Sequence, residues 1–156
     1  MYLELINLGY DITLMDVFDY SKFVVNSFDY LVQEYGMDIA CEQRDNSDLE
    51  YEVPIAKNFL ANYKYTLQIP VIEDIKDLLV KGYLVGCNVN SCSLNGKEGY
   101  SGHFVIVIGF DQNSWIIQDP GGLQGGFANR CVSYDLFQTC WAYPNDRACN
   151  LLAIKK

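Results

Sequence analysis

His103 is the only histidine in the 156-residue chain, and it follows Gly102 and precedes a run of apolar residues. An imidazole can accept and return a proton near neutral pH, so it is the side chain most often used as a general base. The glycine leaves the ring open to solvent or a ligand, and an apolar strand after it would hold the backbone rigidly. His103 is therefore a candidate base, with a structural histidine at a strand edge as the alternative.

Asp119 is the second candidate, although Asp-Pro-Gly-Gly is also an ordinary turn sequence. The apolar runs that follow His103 and precede Asp119 predict two neighbouring antiparallel strands. An odd number of connecting residues, for example 111–113, places Asp119 opposite Val105 and on the sheet face of His103. Asp119 could then accept a hydrogen bond from the imidazole Nδ1–H and orient the ring. An even number would place the two side chains on opposite faces.

A base that is oriented by a carboxylate usually serves a nucleophile. Cys92 lies in the polar loop that leads to His103, but no helix N-terminus is expected there to lower its pKa, so it is a poor nucleophile candidate. The other cysteines are interpreted as small core residues or have no distinctive setting. The first group is Cys87, Cys131 and Cys140, and the second is Cys41 and Cys149.

Neither a metal nor another cofactor is expected. No two cysteines form a CxxC pair, and the single histidine is not spaced to complete a zinc site. The glycines over 121–126 match neither the dinucleotide-binding spacing nor the phosphate-loop spacing. They predict a surface loop beside Asp119.

Charge and composition restrict the partners. Eleven basic and twenty acidic residues give a net charge of -9 without a basic run, so nucleic acid is not expected. No apolar run reaches the ~20 residues of a membrane helix, so membrane insertion is not expected either. Twelve tyrosines suggest a tyrosine-lined surface or groove. The start of the chain lacks a secretory signal pattern, which favours reduced thiols in a cytoplasmic protein, and no pattern indicates an oligomeric state.

Helical patterns precede most of the strand patterns, which predicts an α+β fold, and the length suits one domain over 1–156. Pro54 is expected in the first turn of a helix or at a break. Helices are predicted up to Leu8, in several short pieces between 14 and 63, over 72–81 and over 134–140. Strands are predicted over 11–13, 65–69, 83–89, 103–110, 115–119, 130–132 and 150–154, with a loop over 90–102.

Four segments carry a resemblance to a known family. They are Asn88–Ser91, Leu94–Val105, Gly109–Asp111 and Gln118–Gly121. Together they resemble the bacteriocin-processing, double-glycine type of cysteine peptidase (peptidase family C thirty-nine) of the papain-like superfamily, specifically over about residues 70–141, where Asn129-Arg130 and Trp141 also fit. The resemblance implies a papain-like fold in which N-terminal helices pack on a small antiparallel sheet, with the site in the cleft between them. It also implies that His103 is the general base and that Asp119 orients it.

The family places its nucleophilic cysteine at the start of an N-terminal helix, shortly after an oxyanion-hole glutamine. Met1–Tyr10 resembles the tail of that helix, so both residues would fall upstream of Met1. The resemblance thus implies a peptidase-like protein that hydrolyses a peptide or related amide bond with a cysteine that is not in this chain. The alternative is a non-catalytic, peptide-binding pseudoenzyme domain. A purely structural interaction domain is a third reading, and both leading readings expect a peptide or protein partner.

Overall fold

The computed structural model describes residues 2–63, 65–121 and 126–156 and has an α+β fold. Its described residues divide into two compact units. The first unit contains those of Met1–Val17 and Tyr65–Lys156, and the second contains those of Phe18–Lys64. This division does not test whether the chain folds as one domain, so the single-domain assignment over 1–156 stays a prediction.

A mixed sheet organises the first unit. Over the described residues, its strands are β1 (Asp11–Asp16), β2 (Thr66–Leu67), β3 (Leu84–Asn90), β4 (Gly102–Phe110), β5 (Ser114–Asp119), β6 (Phe127–Ser133) and β7 (Leu151–Lys155). They lie in the order β2-β1-β7-β3-β4-β5-β6. β2 is parallel to β1, and the other neighbours are antiparallel. The sheet is therefore larger than the small antiparallel sheet expected from the sequence, because β1 and β7, from opposite ends of the chain, pair in it.

The helices agree with most of the predicted ones. Over the described residues they are α1 (Tyr2–Asn7), α2 (Tyr20–Phe23), α3 (Ser27–Tyr35), α4 (Met37–Asn46), α5 (Leu49–Asn62), α6 (Ile72–Val80), α7 (Ser91–Leu94) and α8 (Tyr134–Trp141). A turn of 3-10 helix spans Asp146–Ala148. None of these helices combines the length and the apolar character that crossing a bilayer requires.

Two local predictions in the N-terminal half are wrong. Residues 14–16 belong to β1 rather than to a helix, because Ile12 and Leu14 alternate with less buried neighbours and pair with β7. Pro54 lies inside α5, beyond its first turn, and the helix continues through it. Pro54 has no N–H to donate to the carbonyl oxygen of Glu50. Glu50 is an exposed residue, so water can donate a hydrogen bond to that oxygen instead.

The second unit has its own apolar core. Its buried members are Phe23, Tyr30, Leu31, Ala40 and Ala56. Side chains cap its helices: the Asn26 carbonyl oxygen accepts from the Asp29 N–H, and an Asp48 oxygen accepts from the Tyr51 N–H. These caps confirm the helix starts that were predicted at 26–27 and 46–48.

The main core of the first unit lies between one face of the sheet and helices α6 and α8. The helices contribute Ile75, Leu78, Phe137, Cys140 and Trp141, and the central strands contribute Val85, Cys87, Val105, Val107, Trp115 and Ile117. All of these side chains are buried. Strands β4 and β5 are thus held firmly along their length. The placement of the N-terminal helices on the sheet stays a prediction.

Candidate active site

His103 and Asp119 are in direct contact. The Nε2 atom of His103 lies 2.6 Å from Oδ1 of Asp119, and the exposed fraction of the side chains is 16% for His103 and 0% for Asp119. The predicted contact is therefore present. The nitrogen is Nε2, however, and not the predicted Nδ1, because Asp119 lies on the neighbouring strand and the distal ring nitrogen is the one that reaches it. The catalytic roles of the two residues stay predictions.

The register of β4 and β5 brings this pair together in two steps. Phe110 pairs with Trp115, which leaves the even number of residues 111–114 between them and by itself would separate the two side chains. A β-bulge between Val107 and Gly109 then shifts the pairing by one residue. Ile106 consequently pairs with Gln118. Continued by one residue along both strands, this register places Val105 opposite Asp119, as predicted.

The pair lies at one end of the core face of the sheet. His103 shares its face with Val105 and Val107, and Asp119 shares the same face with Ile117 and Trp115, all of which are buried except His103. The apolar residues fix both strands, while the imidazole keeps access to solvent. This is the rigid placement beside an open end that the sequence suggested.

Arg130 completes the surroundings of the carboxylate. Its Nη1 atom lies 3.0 Å from Oδ2 of Asp119, the oxygen that does not contact His103. Nη1 also lies 3.1 Å from Oδ1 of Asn95, and Nη2 lies 2.6 Å from the carbonyl oxygen of Leu94. Arg130 pairs with Ile117 in the sheet, so it projects from the same face as Asp119. The buried carboxylate is thus shared between a base and a fixed cation.

Sequence reasoning did not assign a role to Arg130. Asn129-Arg130 was noted only as part of the family resemblance. One signal could have indicated a role, since an arginine that alternates onto the buried face of a strand needs an acidic or carbonyl partner. Arg130 stands opposite Ile117, a core residue, and therefore meets this condition.

The segment before His103 is more ordered than the predicted loop over 90–102. Asn90 is 1% exposed and makes four side-chain hydrogen bonds. Its Oδ1 atom accepts from the backbone N–H groups of Cys92 and Ser101, and its Nδ2 atom donates to Ser93 Oγ and to the Gly99 carbonyl. These bonds start α7 and close the segment back onto β4, so the loop prediction is wrong for 91–94.

Cys92 lies in the first turn of α7, which is four residues long. The expectation that it lacks a helix N-terminus is therefore wrong, although a single helical turn has only a small macrodipole. Its backbone N–H is also already bound to Asn90. Cys92 remains a poor nucleophile candidate.

Burial makes three other thiols unsuitable as nucleophiles. It raises the pKa of Cys140 and of Cys149 to about 11, and it raises the pKa of Cys87 as well, so all three stay protonated at neutral pH. Cys87 and Cys140 are core residues, as predicted. Cys131 is exposed, which contradicts the prediction, because it pairs with Ile116 and so points away from the core face. No cysteine forms a disulfide.

The Tyr100 ring lies against Gly102, on the face of β4 that is opposite to the His103 side chain. The rings of Tyr100 and Tyr143 stack with centroids 5.6 Å apart, and both are exposed. A Cβ atom at Gly102 would lie 3.0 Å from the Tyr100 hydroxyl oxygen, so a larger residue at that position would displace the end of the Tyr100 side chain. Gly121 lies against the His103 ring itself, since a Cβ atom there would lie 3.5 Å from Cε1 of His103. Residues 122–125 of the predicted glycine loop lie outside the described residues.

Chemically, the site offers a base and its orienting carboxylate. Among the described residues, no three side chains of His, Cys, Asp or Glu are grouped to hold a metal ion. A carboxylate that accepts from Nε2–H leaves the Nδ1 lone pair of the neutral ring available to take a proton. No protein-family model and no curated protein matches this chain.

Proposed function

We propose that the chain is a cysteine peptidase-like protein with a papain-like fold, in which His103 is the general base and Asp119 orients it. The contact of 2.6 Å between Nε2 of His103 and Oδ1 of Asp119 carries this proposal. Arg130 supports it, because the carboxylate that would stabilise an imidazolium is itself held in place. The sequence resemblance supplies the reaction class.

The nucleophile is a thiol that lies outside residues 1–156, where the resembling family has its cysteine. Nδ1 of His103 takes the thiol proton, and the thiolate attacks the carbonyl carbon of a peptide or related amide. The imidazolium then gives its proton to the leaving amine, and a thioester remains. Water hydrolyses this thioester, which releases the acid and restores the thiol. Asp119 keeps the Nε2–H directed at itself throughout these steps and stabilises the charged ring.

The test uses the longest open reading frame that contains this chain. The gene is read upstream of the Met1 codon for in-frame glutamine and cysteine codons, and the encoded protein is incubated with a peptide pool that is analysed by mass spectrometry. We expect cleavage, and we expect His103→Ala to lower kcat/KM by at least about 100-fold. Gln118→Ala, which changes the neighbour of Asp119 on the opposite face of β5, is the matched control. Cleavage that is unchanged in His103→Ala would overturn the proposal.

A thiol-directed electrophile gives an independent readout. An activated cysteine is alkylated faster than the exposed Cys131, and this difference disappears in His103→Ala if the imidazole activates it. Equal labelling rates in the wild type and the variant mean that no thiol is activated by His103. The cytoplasmic location expected from the sequence belongs to the same proposal, since it keeps the thiol reduced.

A second candidate is a peptide-binding pseudoenzyme domain. The exposed stack of Tyr100 and Tyr143 favours it, because aromatic rings bind peptide side chains and backbone without any nucleophile. The 156-residue chain would then retain peptides from a pool without cleaving them. Tyr100→Ala should weaken this binding at least about fivefold, a typical cost for an interface aromatic. Tyr51→Ala, at an exposed tyrosine of the second unit, is the control.

A further inference from the structure

Arg130 lies where it can control the base without touching it. We propose that Arg130 is a positioning residue, which holds the Asp119 carboxylate so that Oδ1 faces His103 and thereby fixes the imidazole tautomer. This inference rests on the proposed function, in which His103 is the base. Arg130 is then a further residue of that site. Residues 94 and 95 bind Arg130 and so help to set the geometry of the pair of His103 and Asp119.

The carboxylate of Asp119 needs two partners to have one orientation. Rotation about the terminal carboxylate bond is soft, so a single hydrogen bond leaves the plane of the group free to turn. His103 binds one oxygen at 2.6 Å and Arg130 binds the other at 3.0 Å. The two residues stand on β4 and β6, on either side of the β5 strand that carries Asp119. The carboxylate is thus fixed from both sides.

The Asp119 side chain is completely buried, which makes the charge of Arg130 necessary as well as its shape. A buried carboxylate without a cation is strongly destabilised, and it would respond by rotating, by taking a proton or by admitting water. Each response changes what Nε2 of His103 contacts. Removal of Arg130 should therefore be detected at the imidazole.

The guanidinium is itself held by the segment that ends α7. Nη2 donates to the carbonyl oxygen of Leu94, and Nη1 donates to Oδ1 of Asn95 as well as to Asp119. Asn95 is fixed in turn, because its Nδ2 donates to the carbonyl oxygen of Ser91 at 2.7 Å. The Phe127 ring lies against the guanidinium, with its centroid 5.5 Å from the central carbon. Lysine has one nitrogen and cannot reproduce this set of contacts.

The contact of Arg130 with Asp119 could also be an ion pair that only stabilises the fold. Because the chain has a single histidine, the signals of its ring distinguish this explanation from a positioning role. The chain is labelled with ¹⁵N-histidine, so every imidazole signal belongs to His103. In the wild type we expect the neutral ring to carry its proton on Nε2, with a low-field Nε2–H signal that exchanges slowly. In folded Arg130→Met we expect at least about tenfold faster exchange of this proton and a mixture of tautomers, with partial recovery in Arg130→Lys.

Arg44→Met applies the same change to an exposed arginine of the second unit and should leave the signals unchanged. If Arg130→Met does not fold, Asn95→Ala removes one acceptor of the guanidinium and should shift the same signals in the same direction by a smaller amount. If folded Arg130→Met showed the wild-type signals, the role of Arg130 would be contradicted while the proposed function would stand. Where only Asn95→Ala folds, wild-type signals in that variant would have the same meaning. A neutral wild-type ring that carries its proton on Nδ1 rather than on Nε2 would instead overturn the proposed function.

Discussion

Phe110 pairs with Trp115 in a register that differs by one residue from the register at the other end of the same hairpin. The β-bulge around Ile108 makes up this difference, and only beyond it do His103 and Asp119 share a face. With the even connection of residues 111–114, the contact between the base and its carboxylate therefore requires the bulge to accommodate the one extra residue in β4. The bulge lies in the middle of a buried strand, well away from both side chains.

Deletion of Ile108 should keep the contact between His103 and Asp119, because the deleted residue is the extra one and Gly109 would then directly follow Val107 in regular pairing with Ile116 and Ile117. Insertion of an alanine after Phe104 should destroy the contact, since it moves His103 to the other face of the sheet. The slowly exchanging Nε2–H signal of the single histidine measures both outcomes. We expect the deletion variant to keep this signal and the insertion variant to lose it.

The two variants control each other, because both change the length of β4 by one residue. Circular dichroism establishes that each remains folded. A folded insertion variant that kept the signal would show that the pair does not depend on register, and this would contradict the role we give to the bulge.

Asp119→Ala should lower the free energy of unfolding by about 3 kcal/mol, because it removes the anion beside the Arg130 guanidinium, which is 21% exposed and still bonds to Leu94 and Asn95. Asp119→Ala combined with Arg130→Met should be more stable than Asp119→Ala alone, since the double variant has no uncompensated charge. Urea denaturation of the variants measures both differences. Gln118→Ala is the control, and it should change the free energy of unfolding by about 1 kcal/mol or less, since this partly buried residue loses one hydrogen bond, to Asn129.

An additive result in this series would contradict the prediction. If the double variant lost the sum of the two single losses, the side chains of Asp119 and Arg130 would not interact energetically. Residues in direct contact normally deviate from additivity by about 0.5 kcal/mol or more.

The sequence alone predicts the parts of the fold that depend on patterns between nearby residues. Helix α6 was predicted within a residue at its end, because Ile75, Leu78 and Leu79 repeat at helical spacing and Gly82 ends the pattern. Strands β4 and β5 were predicted for a similar reason. Each depends on neighbours in the sequence, and such patterns are visible in a single chain.

The features that were missed depend on distant partners. The sequence predicts a loop at Asn90. The hydrogen bonds that order this residue reach Gly99 and Ser101, nine and eleven residues away, so they leave no periodic pattern in the sequence. Arg130 was not given a role because its partners in the 94–95 segment and at 119 come together only in the sheet. Strand β1 was cut short for the same reason, since its pairing with β7 joins the two ends of the chain.

Asn90→Ala should lower the free energy of unfolding by about 3 kcal/mol. The substitution removes all four hydrogen bonds of a side chain that is 1% exposed, and each such bond contributes about 0.5–1.5 kcal/mol net. Asn90→Asp keeps the oxygen that accepts from the backbone N–H groups of Cys92 and Ser101 and should cost less at these two groups. Urea denaturation gives the free energies, and hydrogen exchange of the Ser101 amide reports the local effect.

Asn113→Ala, in the exposed turn between β4 and β5, is the matched control for Asn90→Ala, and its effect should be small. If Asn90→Ala were as stable as this control, the four hydrogen bonds of Asn90 would not be what orders the segment before His103. Unchanged exchange of the Ser101 amide would lead to the same conclusion.

The buried thiols predict a loss of stability at alkaline pH. Burial raises the pKa of Cys140 and Cys149 from 9.0 to about 11 in the folded chain. Between these values the unfolded chain has released the protons that the folded chain still holds, so rising pH favours unfolding. The free energy of unfolding should therefore lose this contribution as pH rises from 9 toward 11. Below pH 9 the contribution is fully present.

Urea denaturation at intervals between pH 8 and 11 tests this effect on the wild type, Cys140→Ala, Cys149→Ala and Cys131→Ala. Tyrosines and lysines also titrate in this range, so the slopes of the variants are compared with that of the wild type. Each buried cysteine that is removed should reduce the slope by at most about 1.4 kcal/mol per pH unit. Cys131→Ala removes an exposed thiol and is the control for the two buried ones. Equal slopes in all four proteins would mean that burial does not hold the protons on Cys140 and Cys149.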